Sequence, residues 1–352
     1  VEANPATIDR PGLAQLRRAG VNRLSLGAQS FAATELRILG RAHGVTDIRA
    51  ACRDARAAGF QNLSLDLIYG LPGQTLDAWR QNLRQALDLE PEHLSVYGLK
   101  LELGTPLADD VAAGRLQECG EDEQVAMWHE TQRLTAGAGL ERYEVSNYAR
   151  SGFQSRHNLT YWRNQPCLAL GAGASGYVPV MRARRPGAGR QMPEEEAEIE
   201  NRKLGSLSRE ISGKQGLVGI RSGIAGEKAG KHAGKGSDIR RPALDFRFVR
   251  YTNHEDIETY MKAVARGELP RAWEEHQTPE QERADTVMMG LRLTGGLDRP
   301  GFEARFGRPF EFFYGKQLAA MERDGLMGRS GTSIFLTERG LLLSNWVLAH
   351  FI

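Results

Sequence analysis

The sequence predicts an α/β protein: a parallel sheet with flanking helices, followed by a helical, winged-helix-like C-terminal region. Three observations carry this. Short β-like runs alternate with helix-patterned segments over residues 1–149, and strands separated by helices of this length build βαβ units with parallel strands. The chain has 352 residues, more than one ordinary domain of roughly 150. Its last hundred or so residues read helix, hairpin, helix.

The strand candidates are residues 1–3, 23–26, 63–68, 94–101 and 143–145. Between the second and third, Ile48, Ala51, Cys52 and Ala55 recur at helical spacing, and Gly59 suits the left-handed position after a helix. Thr75 is placed to cap the next helix, which carries Trp79, Leu83, Ala86 and Leu87 on one face. Further along, Thr278, Pro279 and Gln281 form the opening of a capped helix with proline at its first position. Leu318 and Met321 belong to a helix ending near Gly325. Residues 326–327 and 334–336 then flank a turn, and a last helix starts near Glu338. No arginine or lysine cluster marks a recognition helix there, so this region is expected to be structural or partner-docking rather than DNA-binding.

Composition narrows the function. A formal charge of +2 and 26% charged residues are those of an ordinary folded protein and point away from nucleic acid as a partner. No run of about 18 apolar residues and no export signal is visible, which makes a cytoplasmic location the expectation and leaves peripheral membrane contact open. Cys52, Cys119 and Cys167 are far apart and form neither a disulfide framework nor a CxxC-type motif. From residue 178 to 245 there is no aromatic residue, and an acidic run at 194–200 gives way to glycine, lysine, serine and arginine. That composition favours disorder, so the expected organisation is 1–178, a solvated insertion at 179–245, and 246–352.

Ligands of parallel α/β folds sit at the carboxyl ends of the strands. Four polar residues are expected there: Glu2, Gln29, Asp66 and Glu102. Asp66 is the sharpest, because a carboxylate in an otherwise apolar strand needs a partner, either a ligand or a structural arginine. The turn Gly70, Leu71, Pro72, Gly73 would bring backbone amides towards the same cleft.

The strings GVNRLSLGAQSF (20–31), LGRAH (39–43) and DLIYGLPGQT (66–75) resemble the radical S-adenosylmethionine proteins related to oxygen-independent coproporphyrinogen III oxidase. HLSVYGLKLELGTPL from His93, YEVSNYA from Tyr143 and HNLTYW (157–162) resemble its HemW-type haem chaperone branch. The resemblance covers the chain except the insertion. It implies a partial (β/α) barrel whose strand ends hold S-adenosylmethionine through Glu2, Gln29, Arg41 and Asp66, together with a [4Fe-4S] cluster in the family. It also implies haem binding at His157, with Tyr161 and Trp162 as packing surface, and transfer to an acceptor protein. His43 and His93 are the alternative ligands. Against the family's pattern, neither a CxxxCxxC loop nor a GGTP-type turn occurs. The chain is therefore expected to start at the third barrel strand and to be silent in radical chemistry. A coproporphyrinogen dehydrogenase and an interaction-only fragment are the other readings.

Overall fold

The computed structural model describes residues 1–180 and 248–352; the expected insertion lies, from residue 181 on, outside the described residues. Contacts divide the chain into two units, Val1–Asn164 with Arg283–Ile352, and Gln165–Glu282.

The first unit is built on a six-stranded open sheet: β1 (Glu2–Ala3), β2 (Leu24–Gln29), β3 (Leu63–Tyr69), β4 (His93–Gly98), β5 (Glu141–Arg142) and β6 (Asn147–Ala149), in the order β1-β2-β3-β4-β6-β5. The first four run parallel, and β6 returns antiparallel to both β4 and β5. This is the partial α/β barrel anticipated from the sequence, with strands that do not close. Helices α1 (Arg10–Arg18), α2 (Ala33–Ile38), α3 (Val45–Ala57), α4 (Leu76–Leu87), α5 (Pro106–Ala112), α6 (Glu121–Gly137) and α7 (Arg156–Trp162) connect or follow the strands.

The period-two alternation of the strands gives the sheet one apolar and one polar face. Leu24, Leu26, Leu63, Leu65, Leu67, Leu94 and Val96 join the core formed with Ile48, Ala51, Cys52, Trp79 and Leu83. The intervening residues Ser25, Ser64, Asp66, His93, Ser95 and Tyr97 take the opposite face. Asp66 is thus a member of a polar row and not an isolated charge in an apolar strand. Gly59 ends α3 with a φ of 90°, and the Thr75 hydroxyl accepts the Ala78 amide at 3.2 Å to start α4. Trp79 then locks α4 to α6 by donating its indole N–H to Thr131 Oγ1 at 2.9 Å.

Three sequence expectations change. Residues 143–145 are not a strand: the chain turns there between β5 and β6, and Glu144 makes one isolated bridge, to Leu293. The cause is local, since the Glu144 carboxylate accepts the Ser146 amide at 3.1 Å and the Asn147 side-chain amide, closing the turn. The strand expected at 94–101 ends at Gly98. The one expected at 23–26 runs on to Gln29, through a break in its register.

The C-terminal part of this unit is a second core under a three-stranded sheet, ordered β10-β12-β11 from β10 (Leu297–Asp298), β11 (Met327–Arg329) and β12 (Ser333–Leu336). Helices Arg299–Phe306 and Phe310–Arg323 pack Phe302, Phe310 and Leu318 against Ile334 and Leu336. The strand Leu297–Asp298 and the helix after it escaped the sequence reading; Asp298 caps that helix by accepting the Gly301 amide at 3.1 Å. Helix Pro279–Gly290 opens with the expected reciprocal cap: Gln281 Oε1 accepts the Thr278 amide, and Thr278 Oγ1 accepts the Gln281 amide.

The second unit contains the antiparallel sheet of β7 (Ser175–Pro179), β8 (Phe248–Asn253) and β9 (Arg271–Gln277), with helix Ile257–Ala265. Among the described residues no helix is long and apolar enough to cross a membrane.

Candidate functional site

The polar face of the sheet opens into a cavity of about 640 Å³ lined by Glu2, Gln29, Arg41 and Asp66, with His157 and Asn158 on its rim. Four of the residues singled out as adenosylmethionine contacts are thereby gathered in one cleft with the histidine singled out for haem. Glu102 does not join them; it is exposed beyond the end of β4, 3.8 Å from Lys100. Nor does the 70–73 turn line the cleft; its Gly70 and Leu71 amides donate instead to Gln74 Oε1, at 2.8 and 3.4 Å.

Glu2, Gln29 and Asp66 are placed by their strands, while Arg41 follows α2 and His157 and Asn158 stand on α7. The register sets Glu2 beside Ser25 and Asp66 beside Ser95. The Asp66 carboxylate accepts the Ser25 hydroxyl, at 3.1 Å to one oxygen and 3.3 Å to the other. Desolvation by burial pushes this carboxylate above its ordinary range, opposed by hydrogen bonds from Ser95 and Ser25. Its hydrogen-bond partners are neutral hydroxyls; Arg23 acts on it through charge alone, while donating to Asn62 Oδ1 at 2.9 Å and the Phe153 carbonyl at 3.3 Å. The structural arginine pair considered for Asp66 is absent among the described residues.

Gln29 ends β2 with a φ of 65°, in the left-handed region. The Ser30 amide donates to the Ala28 carbonyl at 2.8 Å across it, a γ-turn of the rare, strained sense. Its side-chain amide folds back over Gly27, where a Cβ would lie 3.0 Å from Gln29 Nε2. The next residues are pinned: Ser30 Oγ donates to Glu35 Oε2 at 2.6 Å, and Asn82 Nδ2 donates to the same oxygen at 2.8 Å. Strain at such a position is held by a buried polar network and is characteristic of binding sites.

Beside this cleft a second cavity, of about 440 Å³, is lined by Tyr97, Glu144, Asn147, His157, Asn158, Tyr161, Trp162 and Arg292. The string HNLTYW forms α7, whose N-cap Ser155 accepts the Asn158 amide. His157 and Tyr161, one turn apart, meet edge to face with ring centroids 4.8 Å apart. Both are exposed. The alternative histidines are placed differently. His43 is buried, with Nε2 3.2 Å from the Ala28 carbonyl. His93 is buried with both ring nitrogens engaged, to Ser64 Oγ and Tyr143 Oη, each at 2.8 Å. Desolvation drives His93 down to about 3, so it is neutral at physiological pH.

Sequence reasoning missed Ser25, Ser95, Tyr97, Asn158 and Arg292 as site residues. The alternation of polar residues along β2, β3 and β4 carried a signal for the first three. Arg292 carried none, being 130 residues from α7.

The three cysteines do not suit an iron–sulfur cluster. Cys52 is buried on α3 and burial pushes its thiol up to about 11, while Cys119 is buried beside Glu123 and shifted the same way; both environments oppose the thiolate that a cluster requires. Cys167 belongs to the other unit. No group of three candidate metal ligands occurs among the described residues.

Comparison with known proteins adds the family. The radical SAM superfamily family matches residues 1–86, and the HemN C-terminal domain family matches residues 277–343. The haem chaperone HemW of Bacillus subtilis is 29% identical over all 352 residues, which cover 75% of that protein. The mouse mitochondrial radical S-adenosyl methionine domain-containing protein 1 is 42% identical over 180 residues, covering 51% of this chain and 41% of the mouse protein. The structure of Escherichia coli coproporphyrinogen III oxidase (HemN), described as a radical SAM enzyme, superposes with a TM-score of 0.66 at 20% identity, covering 99% of this chain and 68% of that one. That likeness shows a shared fold. With the open α/β sheet and the C-terminal region both matched, the chain is a member of the radical SAM superfamily related to the HemN and HemW proteins.

Proposed function

We propose that this chain binds haem through His157 and passes it to an acceptor protein, as the name of its HemW relatives describes. One observation carries the reading: among the three candidate histidines, His157 is the exposed one, and it stands at the junction of two cavities beside an aromatic ring. A neutral imidazole supplies an axial ligand to haem iron, and Tyr161 and Trp162 offer flat apolar surface to the macrocycle. The exposure serves release as well as capture, because a carrier must surrender its cargo.

The strand-end cleft suits S-adenosylmethionine by its donor set. Asp66 and Glu2 accept from ribose hydroxyls or an amino group, Arg41 pairs with a carboxylate, and the Gln29 amide does either. Arg41 has no carboxylate partner among the described residues. When bound, this ligand supplies an electrophilic carbon on a sulfonium. The cysteines do not fit a cluster, and no step is assigned through one.

Titration of the chain with haem tests the reading. The Soret band of the bound form is expected to shift or weaken in His157→Ala with far-ultraviolet dichroism unchanged. An unaltered spectrum in that variant overturns the assignment.

A further inference from the structure

The second cavity is also lined by a guanidinium, that of Arg292. Arg292 comes from the loop after helix Pro279–Gly290, brought to α7 by the bridge between Leu293 and Glu144 and by the Thr294 amide, which donates to the Tyr143 carbonyl at 3.1 Å. Its side chain is half-buried, donates to the Met288 carbonyl at 3.3 Å, and lies over the Trp162 ring at 5.9 Å. Among the described residues no carboxylate stands within ion-pair distance of it.

Such a guanidinium is costly. It is partly stripped of water and not compensated by an anion, and the same desolvation lowers its pKa. The one acid on the cavity wall, Glu144, is turned to its own backbone: it accepts the Ser146 amide and the Asn147 side-chain amide, and burial pushes it towards the neutral form. A neutral ligand would leave Arg292 unpaired. A ligand carrying a carboxylate would supply the missing partner in the bidentate geometry that guanidinium favours.

We propose that Arg292 is the anchor for a carboxylate on the edge of the flat ligand held at His157, and so sets which macrocycles this site accepts. On the haem reading, on which this inference rests, that group is a propionate. His157 then fixes the iron, Arg292 fixes the edge, and the two together orient the ring in its plane. Neutral tetrapyrroles and esters lose the second contact. Arg292 is also the residue that makes the C-terminal segment part of the ligand site.

The experiment compares iron(III) protoporphyrin IX with its dimethyl ester, each titrated into the full chain and into Arg292→Gln, Arg292→Lys and His157→Ala. The wild-type chain is expected to prefer the diacid by about tenfold or more, the worth of one charge-assisted pair. Arg292→Gln should lose that preference while keeping the wild-type Soret position, since the axial ligand is untouched. A preference that persists in Arg292→Gln overturns the inference and leaves the haem reading standing. If the wild-type chain binds neither compound, or binding ignores His157→Ala, both fall together. Should Arg292→Gln fail to fold, Arg292→Lys, which keeps the charge but loses the fork, decides: a reduced preference supports the anchor and an unchanged one overturns it.

Discussion

Tyr143 Oη lies 2.8 Å from His93 Nε2 while accepting the Ser155 amide at 3.2 Å, so the buried core of the sheet is wired to the N-cap of α7. One proton lies between Tyr143 Oη and His93 Nε2, and one between Nδ1 and Ser64 Oγ on the other side of the ring. The relay Ser64, His93, Tyr143, Ser155 ends two residues before His157.

Cutting the relay should loosen α7 without touching its ligands. Tyr143→Phe leaves His93 Nε2 and the Ser155 amide without partners, at a cost of about 1–3 kcal/mol. Denaturant unfolding is expected to show that loss, and haem affinity is expected to fall with the Soret position retained. Equal stability of variant and wild type would contradict the relay.

His93 also makes stability depend on pH. Its folded pKa lies near 3, below an unfolded value of about 6.5, so the unfolded chain takes up the proton first. The neutral-histidine contribution is present above about pH 6.5 and is lost as pH falls towards 3, amounting to about 2 kcal/mol between pH 7 and 5. Asp66 and Glu144, both raised by burial, act in the opposite sense and favour the folded state on acidification. The difference between wild type and His93→Gln isolates the histidine: the variant should show a smaller loss over that interval by urea unfolding.

Asp66 trades stability for binding. Its charged form is disfavoured in the fold, so Asp66→Asn should unfold at equal or higher temperature than the wild type. The same change should weaken S-adenosylmethionine binding by about tenfold or more in calorimetry, because a charge-assisted acceptor is lost. Intact affinity would remove Asp66 from the proposed set.

Gly340 tests the C-terminal core independently. A Cβ there would collide with the Leu326 carbonyl oxygen, a backbone atom that cannot step aside. Gly340→Ala is expected to cost about 1–3 kcal/mol in unfolding experiments, and spectra of the strand-end cleft with added ligand should change little.

The parallel strands, α3, α4 and the cap at Thr278 were legible because each rests on local chemistry: alternation, helical spacing, a hydroxyl before an apolar face. The turn at 143–146 was not, since Tyr143, Glu144 and Val145 alternate like a strand and the reversal is made by Glu144 accepting from its neighbours. Strand Leu297–Asp298 is too short to show a period and exists because Leu297 pairs with Ile334. Within the site, Glu2, Gln29 and Asp66 lie at positions where the strand reading and the family resemblance coincide, whereas Arg41, which follows α2, rests on the resemblance alone. Arg292 depends on a contact across 148 residues from Glu144, for which no neighbouring motif speaks.

That contact has a consequence for how the protein is made. The Glu144–Leu293 bridge joins early and late segments, and a loop of this size closes only after both ends exist. On the ribosome, the sheet and α7 emerge long before Arg292 does. A nascent chain therefore displays His157 and its aromatic neighbour for a time without the guanidinium beside them. On the proposed reading, capture of a cargo with its edge held in place waits until the segment that carries Arg292 has been made.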